Sequence, residues 1–315
     1  MNCLVRSNVK KMSNIKPSPP QINLDPEQSS PQKNIPKHKG VEEFVVQFWG
    51  VRGLIPTPSC EMSRYGGNTA CTEIQVAGKS LIFDGGTGLR ILGRSYLEST
   101  NPLKAHLFFT NSQSNRIQGF PFFAPAFVPE NSFHIYGSAA SNGASIKQSL
   151  CDQMLQPHFP YPLQVMQSEL HFHNLVPGMV VTLDDVVVTT ALINQTQRSV
   201  GFRVSWKEYS VAYVTDLQLN GDESDQERIA ELTNGVDLLV ANATYIPPTV
   251  NNNHKSNLLW QPAVDLAHSV SAKRLVISCH HPDDQDEFLE SMEIDIQSVF
   301  PKGLLAREGV SLTVV

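Results

Sequence analysis

The residues of this chain best placed to do chemistry lie in the stretch Thr110-Asn111-Ser112-Gln113-Ser114-Asn115-Arg116-Ile117-Gln118-Gly119-Phe120. An apolar strand, Ala105 to Phe109, runs into it, and a helix start is predicted near Arg116. Between strand and helix stand Asn111, Gln113, Asn115 and Arg116. Their chemistry is hydrogen bonding rather than metal binding. Zinc sites are built from thiolate, imidazole and carboxylate, whereas a carboxamide offers a weak neutral oxygen. A guanidinium is a permanent cation with no acceptor.

Other chemically capable groups are spread along the chain. Asp84 opens the turn Asp84-Gly85-Gly86-Thr87-Gly88, where a carboxylate braces a loop by accepting backbone N–H groups. Asn68, after Gly66-Gly67, reads either as a turn amide or as a pocket-facing group. His280-His281-Pro282-Asp283-Asp284 is metal-like in composition, with Asp216 as a candidate neighbour. Adjacent histidines at a strand end point in opposite directions, which favours a satisfied histidine at a pocket edge over a bound metal. His171-Phe172-His173 puts two imidazoles on one strand face, a spacing that binds metal or arises on a surface by chance; chance is favoured. His254 lies among Asn251, Asn252, Asn253 and Lys255, a loop composition.

The elements that must position these groups are legible from pattern. Glu43 to Trp49 has the β-branched and aromatic content of a strand, and Thr72 to Val76 and Lys79 to Phe83 flank Ala77-Gly78 as a hairpin. A helix follows from about Leu89 to Leu97. Further strands are predicted at Phe133 to Tyr136, Val186 to Thr190, Phe202 to Trp206, Val211 to Thr215, Asp237 to Val240 and Arg274 to Ser278. Helical patterns cover Ser145 to Leu155, Asp225 to Leu232, Gln261 to Val270 and Asp284 to Phe300, whose acidic first half reads as a solvated face. The dense aromatic and proline segment Phe120 to Phe127 reads as packing, or as an interface if its phenylalanines are exposed. Strands in bulk with helices interspersed fit an α/β (α+β) sandwich, two sheets face to face with helices outside. No repeat of solenoid period is present.

Composition narrows the classes. The chain has 315 residues, is 41% hydrophobic and carries a net charge of −6. Residues 1–40 hold seven Lys/Arg against Asp25 and Glu27, with six prolines, and read as a disordered tail that fills no core. The domain then spans 41–315. It keeps 17 basic against 28 acidic residues, a net −11, which argues against a nucleic-acid footprint. Five scattered cysteines without a Cys-x-x-Cys pair, no long apolar run and no signal-peptide pattern lead us to expect a cytoplasmic protein.

Ordered blocks from Trp49 almost to the C-terminus resemble a known family. They include Gly50-Val51-Arg52-Gly53, Tyr65-Gly66-Gly67-Asn68-Thr69, Asp84 to Leu89, Ile117-Gln118-Gly119-Phe120, Ile135-Tyr136-Gly137, Ser210 to Asp216, and Arg274-Leu275-Val276 leading to His280. The chain is similar to a bacterial, especially cyanobacterial, branch of the metallo-β-lactamase-fold hydrolases, related to ribonuclease Z and the cyclic-nucleotide phosphodiesterases of that superfamily. The resemblance implies a four-layer αββα sandwich, two divalent metals such as zinc or manganese, and a His-x-His-x-Asp-His ligand run. Here that run is replaced by Asn111, Gln113, Asn115 and Arg116. It further implies lost ligands at Gln195, Asn242 and Asn257, a retained bridging carboxylate at Asp216 and a retained histidine at His280.

Two readings follow. In the first the chain is a pseudoenzyme without cofactor, binding a protein partner or a small ligand, an anionic one if Arg116 reaches into the pocket; Asn115, Asn242 and an Arg116 placed beside Asp216 would balance the charge of a metal-free pocket. In the second it is a phosphodiester hydrolase with a reduced, rearranged metal site using Asp216, His280, His281 and His254. A homodimer is expected only by analogy.

Overall fold

The computed structural model describes residues 43–97, 101–217, 223–242 and 259–315. The expected tail at 1–40, His254 and Asn257 lie outside the described residues. Seven strands form the first sheet: β1 (Phe44–Gly50), β2 (Cys71–Val76), β3 (Lys79–Phe83), β4 (Lys104–Phe109), β5 (Ser132–Ser138), β6 (Glu169–Leu175) and, from the chain's end, β14 (Ser311–Thr313). Seven more form the second: β7 (Val180–Leu183), β8 (Val186–Asn194), β9 (Ser199–Trp206), β10 (Tyr209–Val214), β11 (Leu238–Asn242), β12 (Leu275–Ser278) and β13 (Gly303–Leu305).

The two sheets share a plan. In the first, β14, β1, β2 and β3 pair antiparallel, and β3, β4, β5 and β6 continue in parallel. In the second, β7 to β10 are antiparallel and β10 to β13 parallel. The β2–β3 hairpin turns at Ala77 and Gly78, both at positive φ, 50° and 71°, as a tight two-residue turn of matching twist requires. Strands β7, β13 and β14 are absent from the pattern reading, since runs of four, three and three residues hold too little alternation to register.

Pleating decides the layers. In β10, Val211 and Tyr213 enter the core between the sheets, whereas Ala212 and Val214 face the helical side. Helices α1 (Gly88–Tyr96) and α3 (Ile146–Gln153) cover the first sheet, packing on β1 and on β5 and β6. Helices α4 (Glu223–Thr233), α5 (Gln261–Ser269) and α6 (Asp286–Val299) cover the second. The result is the expected αββα order. The acidic start of α6 is not uniformly solvated: Asp286 is buried and accepts the backbone N–H groups of Arg64 and Tyr65 at 2.7 and 3.2 Å.

Candidate functional site

The carboxyl ends of the parallel strands of both sheets meet, and chemistry in such sheets gathers where strands end. Strand β3 runs into Asp84, β4 into Thr110 and Asn111, β10 into Thr215 and Asp216, β11 ends on Asn242, and β12 leads to Cys279 and His280. A short helix, α2 (Ser114–Ile117), starts just beyond β4. Gly86 and Gly119 let the Asp84 turn and the loop around α2 touch backbone to backbone. A Cβ on Gly119 would sit 1.9 Å from the Gly86 carbonyl oxygen, and one on Gly86 2.5 Å from that of Asn115.

At the base of the site is a buried ion pair. Asp84 Oδ1 accepts the N–H and hydroxyl of Thr110 at 2.9 and 2.8 Å; its Oδ2 accepts Arg116 Nη1 at 2.6 Å and the Tyr213 hydroxyl at 3.0 Å. Arg116 also donates to Thr215, Nη1 to the hydroxyl at 2.9 Å and Nη2 to the carbonyl at 2.6 Å. Burial opposes the guanidinium's charge, yet Cys279, Asp84, Tyr213 and Asp216 around it hold its pKa well above the ordinary value. Burial pushes the Cys279 thiol up, which keeps it neutral, so the counter-charge of Arg116 is Asp84.

Asp216 is held separately. Its Oδ2 accepts the Ser199 hydroxyl in a short hydrogen bond and Asn111 Nδ2 at 3.3 Å; Asn111 Nδ2 also meets Ser199 Oγ at 2.9 Å. Burial raises the Asp216 pKa despite Arg116 and these donors. Arg116 lines the same cleft as Asp216 and opposes the rise in its pKa, while its own hydrogen bonds go to Asp84 and Thr215.

Above these groups opens a cleft of about 120 Å³, lined among others by Gln113, Asn115, Arg116, Asp216, Asn242 and His280. Six positions singled out from sequence thus converge. Gln113 Nε2 donates to Gln197 Oε1 across the mouth, and Asn242 Oδ1 accepts the Leu217 N–H at 2.8 Å. Gln195 is exposed in the turn between β8 and β9 and does not line the cleft; Gln197, two residues on, does. Asn68 sits apart, bonded to Glu308 through its Nδ2 at 2.9 Å, and is a turn amide. Asn111 lies behind the wall and turns its Oδ1 to the Gln113 N–H at 2.9 Å.

His280 is buried, its Nε2 2.8 Å from the Ala306 carbonyl oxygen and its ring at the edge of Tyr65. A carbonyl only accepts, so Nε2 carries the hydrogen. Burial lowers the His280 pKa to about 4, so the ring is neutral. Sequence reasoning passed over Ser199, Gln197 and Cys279, which carry no motif signal, while Tyr213 and Thr215 lie inside the block Ser210 to Asp216.

The donor set does not fit the pair of divalent cations that the resemblance implies. Among the described residues no three His, Cys, Asp or Glu side chains come together as ligands. Arg116 puts a permanent cation beneath the cleft, Asp216 is engaged by two donors, and the Nε2 of His280 is a donor.

Two facing mixed sheets, helices on both outer sides and a cleft at the strand ends define the metallo-β-lactamase fold. Solved structures bear this out. The metallo-β-lactamase fold protein YhfI from Bacillus subtilis superposes with a TM-score of 0.59 at 16% identity, over 87% of this chain and 100% of that one. The short form of human tRNase Z gives 0.58 at 17%, over 86% and 99%, and a diphosphatase from the PhnP family 0.59 at 16%, over 86% and 97%. No family model and no curated protein sequence matches the chain. Among the described residues, no helix is long and apolar enough to cross a membrane.

Proposed function

We propose that this chain is a pseudoenzyme of the metallo-β-lactamase fold that works by binding, holding a protein partner or a small ligand at the cleft where the resemblance places a hydrolytic metal site. The observation that carries the reading is the Arg116–Asp84 pair, 2.6 Å long and buried on both sides, at the end of the loop that the resemblance assigns to metal ligands. A fixed guanidinium there repels incoming cations and brings its own counter-ion. Three of the surrounding amides support the same reading: Asn111, Gln113 and Asn242 bond to Ser199, to Gln197 and to the Leu217 backbone without a metal. Unpaired thiols at Cys60, Cys71, Cys151 and Cys279 suit a reducing compartment, and we place the protein in the cytoplasm.

Elemental analysis of full-length protein purified without chelator tests the proposal, together with hydrolysis of a generic phosphodiester in added zinc or manganese. The expected result is sub-stoichiometric metal and a rate equal to that of Asp216→Ala. Near-stoichiometric metal, or metal-stimulated turnover lost in Asp216→Ala, overturns it in favour of a hydrolase with a rearranged site.

A further inference from the structure

The cleft keeps hydrogen-bonding groups that the protein itself leaves unused, and these point to a ligand class; the argument rests on the binding role proposed above. Asn115 is only 7% exposed and lines the cleft, yet its carboxamide meets no partner among the described residues. Asp216 spends Oδ2 on Ser199 and Asn111, which leaves Oδ1. Polar groups that face a cleft without a protein partner are bonded to water or to an occupant, so the Asn115 carboxamide and Asp216 Oδ1 mark the hydrogen bonds that a ligand takes over.

Charge excludes an anion. Arg116 bonds Asp84 through Nη1 and Thr215 through both terminal amino groups, its Nε is sealed from solvent and its side chain is only 5% exposed, so little of the guanidinium is open to grip a carboxylate or phosphate. The Asp84 carboxylate balances the guanidinium, and Asp216 adds a further acidic group on the cleft wall. Size excludes a large molecule: an apolar cavity of about 150 Å³ holds one benzene, and this cleft measures about 120 Å³.

A carboxamide presents one donor and one acceptor side by side, an edge matched by another cis-amide. We propose that the cleft binds a small uncharged ring with adjacent N–H and C=O groups, a cyclic amide or ureide, paired edge to edge with the Asn115 carboxamide. Asp216 Oδ1 offers a further acceptor to the same ring.

The test is a titration of the full-length protein, followed by amide NMR shifts, with uracil as the neutral probe and inorganic phosphate and acetate as anions. Uracil should bind with a dissociation constant on the order of 1 mM, shifting signals from Asn115, Asp216 and their neighbours, and at least about tenfold more tightly than either anion. Asn115→Leu should weaken it at least about tenfold. Asn115→Asp, nearly isosteric but without the amide donors, should do the same and serves if the leucine variant fails to fold. Phosphate or acetate binding more tightly than uracil, uracil binding unaffected by Asn115→Asp, or no cleft shifts with uracil overturns the inference. Metal content and phosphodiester turnover, read on the same preparation, separate the two failures: inert, metal-free protein that ignores uracil sinks this inference alone, whereas metal-stimulated turnover sinks the reading beneath it.

Discussion

At the scale of single residues, Arg116 and Asp84 are one unit. Each is buried, and each uses the other to neutralise a charge that water does not reach. Removing one partner leaves the other as an uncompensated buried ion, which costs about 3–5 kcal/mol. Arg116→Met is therefore expected to lower the unfolding free energy by that amount in urea titrations. Asp84→Asn should do comparable harm, while the double variant should lose less than the sum of the two because no orphaned charge remains. Additive losses would show that the pair is not coupled. Gly119 makes a separate demand: Gly119→Ala sets a Cβ against the Gly86 carbonyl. A loss of at least about 1–3 kcal/mol is expected, and an unchanged urea midpoint would contradict the close packing of these two loops.

At the scale of elements, the first sheet carries a row of imidazoles across three parallel strands. His106 on β4 lies opposite His134 on β5, which lies opposite His171 on β6, with ring centroids 5.1 and 4.8 Å apart. His173 Nε2 reaches His134 Nδ1 at 3.0 Å, a bond that needs one nitrogen bare. Burial, reinforced by neighbouring imidazoles, lowers the His106 pKa to about 4 and moves those of His134 and His173 down as well. In the unfolded chain each titrates near 6.5. Above that pH both states are neutral and the full stability is present. As the pH falls from 6.5 toward 4, the unfolded chain takes up protons that the folded row resists, and stability is lost. The slope is at most about 1.4 kcal/mol per pH unit for each histidine. Denaturation midpoints measured at pH 7.5 and 5 should differ, and His134→Phe should shrink that difference; an equal difference in the variant would remove the row from the account.

At the scale of the whole molecule, the two sheets enclose one apolar core, and each outer face gains a second core from its helices. Residues 1–40 hold nine charged residues and six prolines. By composition such a stretch is expected to add little to a core. A chain lacking residues 1–40 is expected to melt within about 2 °C of the full-length protein, since a difference of 1 kcal/mol in a domain of this size shifts the midpoint by about 2–4 °C. A fall of more than about 5 °C by calorimetry would mean that the segment is part of the folded body.

What the sequence determined by itself was local. Alternation in Phe44 to Trp49, the Ala77-Gly78 turn and the glycine-rich run after Asp84 are readable because strand periodicity and turn conformation depend on neighbours along the chain. The amides and arginine of the 111–116 loop were visible for the same reason. Who meets whom across the molecule was decided only by tertiary structure. Arg116 is bonded to Asp84 while standing near Asp216, Gln197 rather than Gln195 reached the cleft, and His106, His134 and His173 came together from three strands. Each of those choices depends on the register of strands far apart in sequence, and a shift of one residue in register turns every side chain of a strand to its other face.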